Sequence, residues 1–261
     1  MSAILLENGI VHYEVIGRGR PVIFLHGWVG SWRYWVPAMQ TVSSGFRAYA
    51  LDMWGFGDTS RDPSLYGMEK QIALLDRFLH ELGMNKVAII GHGLGALVGL
   101  HFTMRYPTVV DRIITVEMPF DTKDINQRLR SAPLDELTER LLSKDPSSEA
   151  ARTDGLKADP AAVQASFDSL DLFNFAKRIS NINTPCLMIY GKNDPLISPP
   201  NFEVSMTPQN THFMLFDQSN HFPMLDESAG FHRLLNDFLM LQPGESPKNL
   251  QLKEEWKRRV R

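Results

Sequence analysis

Histidines and carboxylates recur in this sequence where short apolar runs end, which is where a buried scaffold can present reactive groups. Val22-Ile23-Phe24-Leu25 runs into His26-Gly27, and Phe46 to Leu51 runs into Asp52. Ile113-Ile114-Thr115-Val116 ends at Glu117, Cys186 to Tyr190 at Gly191, and His212 to Phe216 at Asp217. The densest group is Ile89-Ile90-Gly91-His92-Gly93-Leu94-Gly95, an apolar run entering a glycine-rich turn with a helical pattern directly behind it. No nucleophilic side chain stands in that turn. The single cysteine, Cys186, lies inside an apolar run, the usual place of an inert thiol. His12, His80, His101, His212 and His232 show no clustered partners, so no metal site is expected.

These groups need elements to hold them. All-apolar runs of strand length read as strands buried on both faces. Ala3–Leu6 and Ile10–Val15 alternate instead, as an antiparallel pair does. Helical patterns lie between the runs: Ser31–Val42, Gly67–Leu82 with Ile72, Leu75, Leu79 and Leu82 on one stripe, Leu94–Arg105 stopped by Pro107, and Phe222–Leu241. Strand and helix in alternation predict an α/β fold with a mostly parallel central sheet and helices on both faces. Residues 120–182 break the rhythm. They offer helical patterns at Asp135–Ser143 and Ala161–Leu170, split by a polar Ser-, Asp- and Pro-rich stretch, and no strand. The reading is a helical insertion, against the plainer one of two sheet-flanking helices.

The turn at 89–95 resembles the nucleophile elbow of the α/β-hydrolase fold, G-x-S-x-G, with Gly93 where the family carries its nucleophile. Other pieces resemble the same family in its chain order. His26-Gly27-Trp28 is similar to its oxyanion-hole loop, and Asp52 to Ser60 to its D-x-x-G-x-G turn. Gly191-Lys192-Asn193-Asp194-Pro195 is similar to its acid loop, and Asn220-His221-Phe222-Pro223 to its histidine loop. The resemblance implies a core of residues 1–119 and 181–241, a cap or lid of residues 120–180, and a basic C-terminal tail, 242–261. It also implies the roles. Asp194 would orient His221, and His221 would be the general base. The backbone N–H groups of Trp28 and Leu94 would form the oxyanion hole, the second aided by the helix dipole. Pocket candidates are His26, Gly27, Trp32, Glu117, Met118, Phe120 and Phe222. Trp28, Tyr34 and Trp35 are candidates for the pocket wall or for the core. His26 and His92 read more plainly as residues that order the loops. Glu117 ends a strand where some family members place the acid, although Asp194 fits that role better.

Gly93 leaves the catalytic position without a nucleophile. Glycine is comfortable there, because the elbow demands a positive φ. It is either native, giving a pseudoenzyme, or an engineered replacement of serine in an active esterase. The functional readings are three: a protein of esterase-like ancestry that is weak or inactive as a serine hydrolase, a small-ligand-binding protein that keeps the pocket, and an enzyme using only the His221–Asp194 pair as base. The last would act on water, or by cofactor-independent oxygenase- or lyase-type proton abstraction.

Composition narrows the class. The chain has 261 residues, 43% hydrophobic and 22% charged, with net charge −3, which speaks against general nucleic-acid binding. One cysteine allows no intrachain disulfide and fits a reducing compartment. The N-terminus lacks the pattern of a signal peptide, and no 18-residue apolar run exists, so a soluble, cytoplasmic protein with no membrane span is expected. The expected partner is a small apolar or ester-like molecule, with no cofactor and no metal. The tail, basic at Lys253 to Arg261, offers a surface for self-association or a solvated terminal helix.

Overall fold

The alternating lead-in forms an antiparallel pair, β1 (Ser2–Leu6) and β2 (Gly9–Gly17). The computed structural model describes residues 2–168, 182–200 and 208–252. Each apolar run is a strand: β3 (Arg20–Leu25), β4 (Phe46–Leu51), β5 (Val87–His92), β6 (Val110–Val116), β7 (Cys186–Gly191) and β8 (Thr211–Phe216). The sheet order is β1-β2-β4-β3-β5-β6-β7-β8. The β1–β2 and β2–β4 pairs are antiparallel, and all pairs from β4 through β8 are parallel. The chain leaves β3 toward β4 and then returns to place β5 on the opposite side of β3. That reversal opens a crevice at the C-terminal ends of β3 and β5, where open α/β sheets bind ligands.

The helices follow the sequence pattern closely in the first half. A 3-10 turn (Trp32–Trp35) leads into α1 (Val36–Val42), followed by α2 (Met68–Glu81) and α3 (Leu94–Arg105). The third helix packs on β3, β5 and β6 beside α2. Gly95, on its first turn, passes so close to β3 that a Cβ would stand 2.5 Å from the Leu25 carbonyl oxygen.

Between β6 and β7 the described residues form helices and no strand of the sheet: α4 (Gln127–Ser131), α5 (Leu134–Leu141), α6 (Glu149–Gly155) and α7 (Pro160–Asp168). The last two residues of the helix predicted over 161–170 lie outside the described residues, as does the basic segment 253–261. This helical segment sits on the loops that leave β3 and β4. The Asp159 N–H donates to the Gly55 carbonyl at 2.8 Å, and the buried Asp154 carboxylate accepts from Ser31 Oγ at 2.5 Å and Arg33 Nε at 2.8 Å.

The single long helix predicted over 222–241 is two, α8 (Pro223–Asp226) and α9 (Ser228–Leu239). The break falls at Glu227, with φ −122° and ψ 52°. Its carboxylate accepts from Gln218 N–H and Ser219 Oγ, and the Asp226 carboxylate accepts from Asn220 N–H. Local bonds to the loop before His221 thus draw the backbone out of the helix. No helix among the described residues is long and apolar enough to cross a membrane.

Candidate active site

The parallel register delivers the chemistry-bearing loops to one edge. Leu25 of β3 is level with Gly91, His92 of β5 with Val116, Val116 of β6 with Ile189, and Gly191 of β7 with Phe216. The segments holding Trp28, Gly93, Glu117, Asp194 and His221 therefore emerge side by side, although 193 positions of sequence separate the first from the last.

Asp194 and His221 meet directly. His221 Nδ1 lies 2.7 Å from Asp194 Oδ2, and both side chains are fully buried. The carboxylate accepts, so Nδ1 carries the hydrogen and Nε2 keeps its lone pair. Nε2 has no hydrogen-bond partner. Asp194 Oδ1 accepts from Leu196 N–H at 2.7 Å. Burial pushes the Asp194 carboxyl up, but His221 and the hydrogen bonds it receives hold it below the usual carboxylate range.

Gly93 stands at the N-terminus of α3 with φ 48° and ψ −110°. Its N–H donates to the Val116 carbonyl at 2.8 Å, and its own carbonyl accepts from Leu97. The space beside it is taken by Trp28. A Cβ at position 93 would stand 3.0 Å from Trp28 Cε3 and 3.1 Å from Cζ3. The indole is clamped from the helical segment: Nε1 donates to Ser166 Oγ at 2.8 Å, and the ring stacks on Phe167 at 5.0 Å between centroids. Ser166 and Phe167 carry no sequence signal that would place them at this edge. Leu94 is the first residue of α3 and is buried.

The two loop histidines order the backbone. His26 Nδ1 contacts the Gly27 carbonyl at 2.8 Å, and its Nε2 accepts from Met53 N–H. A relay runs behind the elbow: Gly27 N–H donates to Tyr34 Oη, Tyr34 O–H to His92 Nδ1, and His92 Nε2–H to the His221 carbonyl. That relay requires neutral His92. Burial, with His221 adjacent, depresses His92 well below its ordinary value, and burial also lowers His26. Phe222 packs on both His92 and His221, at 4.8 and 5.2 Å.

Glu117 is buried at the end of β6 with φ 47°, a strained conformation for a residue other than glycine. One of its oxygens accepts from Gly191 N–H. Met118 is buried beside it, its carbonyl accepting from Tyr190 O–H, and Phe120 is buried two residues further on. Trp32 stands apart from this group, with its ring 5.5 Å from His12 and its backbone N–H donating to Asp52. Trp35 packs into the core against Phe24.

His12 is not isolated, contrary to the sequence expectation. Its Nδ1 lies 3.3 Å from Asp52 Oδ2, and ligand atoms of His12, Asp52 and Asp58 fall within 4.8 Å of one another. Strands 40 residues apart in sequence bring them together. Both Asp52 oxygens already accept backbone N–H groups, from Trp32 and Asp58, which is the work of a turn-ordering carboxylate. The Cys186 thiol is pushed up to about 12 by burial, as an inert core thiol is.

Comparison with known proteins gives the family of the chain. The model described as the alpha/beta hydrolase fold matches residues 20–157, and the chain belongs to that family. Among its relatives, bifunctional epoxide hydrolase 2 of Sus scrofa is 32% identical over 123 residues, 45% of this chain but 22% of that protein's length. Two solved structures share the fold over nearly their whole length. A hydrolase from Pseudomonas aeruginosa PA01 superposes with TM-score 0.79 at 14% identity, covering 92% of this chain and 98% of that one. A serine-to-glycine mutant of the N-acyl homoserine lactonase AidH, complexed with N-hexanoyl homoserine lactone, does so with TM-score 0.80 at 19% identity, covering 91% and 96%.

Proposed function

We propose that this chain is a hydrolase-fold protein of esterase-like ancestry that keeps the general-base pair and lacks acyl-enzyme chemistry, so that it is weak or inactive as a serine hydrolase. The observation that carries this reading is Gly93 at φ 48° on the turn between β5 and α3, beside a complete Asp194–His221 pair. In a triad, His221 Nε2 takes the proton of a hydroxyl as that oxygen attacks a carbonyl. Here position 93 supplies no oxygen, and the Trp28 indole lies against it. In this reading the N–H groups of Trp28 and Leu94 remain as oxyanion donors, since they depend on backbone alone, and residues 120–180 are the cap.

A second reading is favoured by His221 itself. Its Nε2 is buried, holds a lone pair and meets no partner. Such an atom can serve as a base toward water or an acidic proton of a bound molecule. Ester and lactone compounds are the ligands to test first, because the lactonase relative holds its lactone with glycine in place of a serine.

The experiment pairs turnover with binding. Nitrophenyl ester hydrolysis by the unmodified chain should be little above background and should not form an acyl intermediate. Calorimetry against short-chain lactones and esters then separates binding without turnover from dyad chemistry. Rapid turnover abolished by His221→Ala would favour the second reading, whereas rapid turnover with burst kinetics would overturn the first.

A further inference from the structure

Arg130 is a cation without a counterion. It stands on α4, with its guanidinium carbon 5.2 Å from the centre of the Phe167 ring. Among the described residues it makes no hydrogen bond and no ion pair, and its Nη2 is buried without an acceptor. The charges around it are matched to one another instead. Lys123 lies 3.5 Å from Asp121, Arg128 lies 3.7 Å from Glu136, and the Asp124 carboxylate accepts from Asp121 N–H at 3.0 Å. A charged donor buried without a partner is costly to keep, so Arg130 points to an acceptor that comes from outside the chain.

Room for that acceptor lies beside it. Arg130 lines a cavity of about 430 Å³, whose walls include Lys123, Ile125 and Gln127. These walls are tied to fixed parts of the molecule. Ile125 bridges to Ile197 in the segment after Asp194, the Asn126 N–H donates to the Leu196 carbonyl at 2.7 Å, and the Ser198 N–H donates to the Asp124 carbonyl at 2.9 Å. The Phe167 ring beneath Arg130 stacks in turn on the Trp28 indole, 5.0 Å between centroids. Neither Gly93 nor His221 lines this cavity, so it is a site apart from the elbow.

We propose that this cavity binds a small organic carboxylate and that Arg130 takes its charge. The N–H groups of a guanidinium match the two oxygens of a carboxylate. Ile125 offers apolar surface to the carbon skeleton. Among the described residues of the lining, Arg130 is the one cation without an acidic partner, which suits a single negative charge better than a phosphate dianion.

The readout is binding, with no turnover involved, so its failure would leave the proposed function untouched. Arginine side-chain NMR of the full-length, 15N-labelled chain tests it, with sodium butyrate as the probe and butanol and inorganic phosphate as comparisons. Butyrate should move the Arg130 Nε–Hε signal to saturation, phosphate should bind more weakly, and butanol should leave the signal in place. An Arg130 signal unmoved by butyrate, or phosphate or butanol binding as tightly as butyrate, would overturn the proposal. Calorimetry on variants gives the size of the effect. Arg130→Gln removes a charge-assisted hydrogen bond and should weaken butyrate binding at least about tenfold. Arg130→Lys keeps the charge without the fork and should weaken it less. Lys123→Gln should change it by less than about threefold, because Lys123 is exposed and already faces Asp121. Parent affinity in both Arg130 variants would place butyrate elsewhere and overturn the proposal. A thermal melt on each sample checks folding, and if the glutamine variant does not fold, the parent titration and the lysine variant decide the matter.

Discussion

Gly93→Ser is the most informative single change, because it returns an Oγ to the turn beside His221 while altering nothing else in the chain. Two costs oppose it. A non-glycine residue at φ 48° carries strain of about 1–3 kcal/mol. The new Cβ would also stand 3.0 and 3.1 Å from the six-membered ring of Trp28, so that ring must give by a few tenths of an ångström. The ring is rigid and held by Ser166 and Phe167, and overpacking of that kind typically costs about 1–3 kcal/mol. Both terms act on stability, and a domain of ordinary stability, about 5–15 kcal/mol, can absorb them. The gain acts on the barrier. A positioned base contributes about 10²–10⁴-fold once a hydroxyl is within its reach. Allowing for a displaced indole, the expected increase in nitrophenyl acetate hydrolysis over the parent is at least about tenfold, equivalent to about 1.4 kcal/mol of barrier. The assay is initial rate near neutral pH, with a thermal melt on the same sample. The gain should vanish in Gly93→Ser/His221→Ala. A folded Gly93→Ser protein with the parent's rate would mean that His221 does not address position 93.

Further outcomes follow from the same contacts. Tyr34→Phe strips the shared hydroxyl from Gly27 N–H and His92 Nδ1, and leaving those buried groups unpaired should cost about 1–3 kcal/mol in denaturant unfolding. Asp154→Ala leaves Arg33 and Lys157 without their buried carboxylate. A loss of about 2 kcal/mol is expected, together with faster proteolysis within residues 127–168, because Arg33 is partly exposed and the lost bonds are charged. Acid should weaken the fold through His26 and His92. Their folded values lie below the free value of about 6.5, so the stability they contribute is complete above that pH and is lost as pH falls through their lowered values; the melting temperature measured from pH 7 downward should decline. A flat profile in that range would contradict the neutral relay.

Much of this site was legible because its signals are local. Short apolar runs ending in Gly, Asp or His name both the strands and the loops that follow, and the antiparallel lead-in announces itself by alternation. The meeting of Asp194 and His221 was legible only through the resemblance, since nothing in a 27-residue spacing requires contact. What the sequence withheld arises from long-range packing. Short helices such as α4 and α6 carry too few turns for a period to show, and α6 buries a carboxylate, Asp154, on the face where a pattern search looks for an apolar residue. The break at Glu227 depends on side-chain bonds to residues 218 and 219 that no propensity encodes. His12 met Asp52 because the sheet pairs β2 with β4, an antiparallel neighbour not evident from either strand alone. The placement of Trp28 against Gly93 likewise depends on α7 arriving from 138 residues away.

If the elbow presents no nucleophile while the base pair remains, the unmodified chain should resist reagents that label active serines. Intact-mass analysis after exposure to a fluorophosphonate reads this out, run in parallel on the unmodified chain, on Gly93→Ser and on Gly93→Ser/His221→Ala. No adduct is expected on the unmodified chain, a single adduct on the serine variant, and its loss when His221 is removed. Stoichiometric labelling of the unmodified chain would contradict this expectation, because another residue would then be acting as the nucleophile.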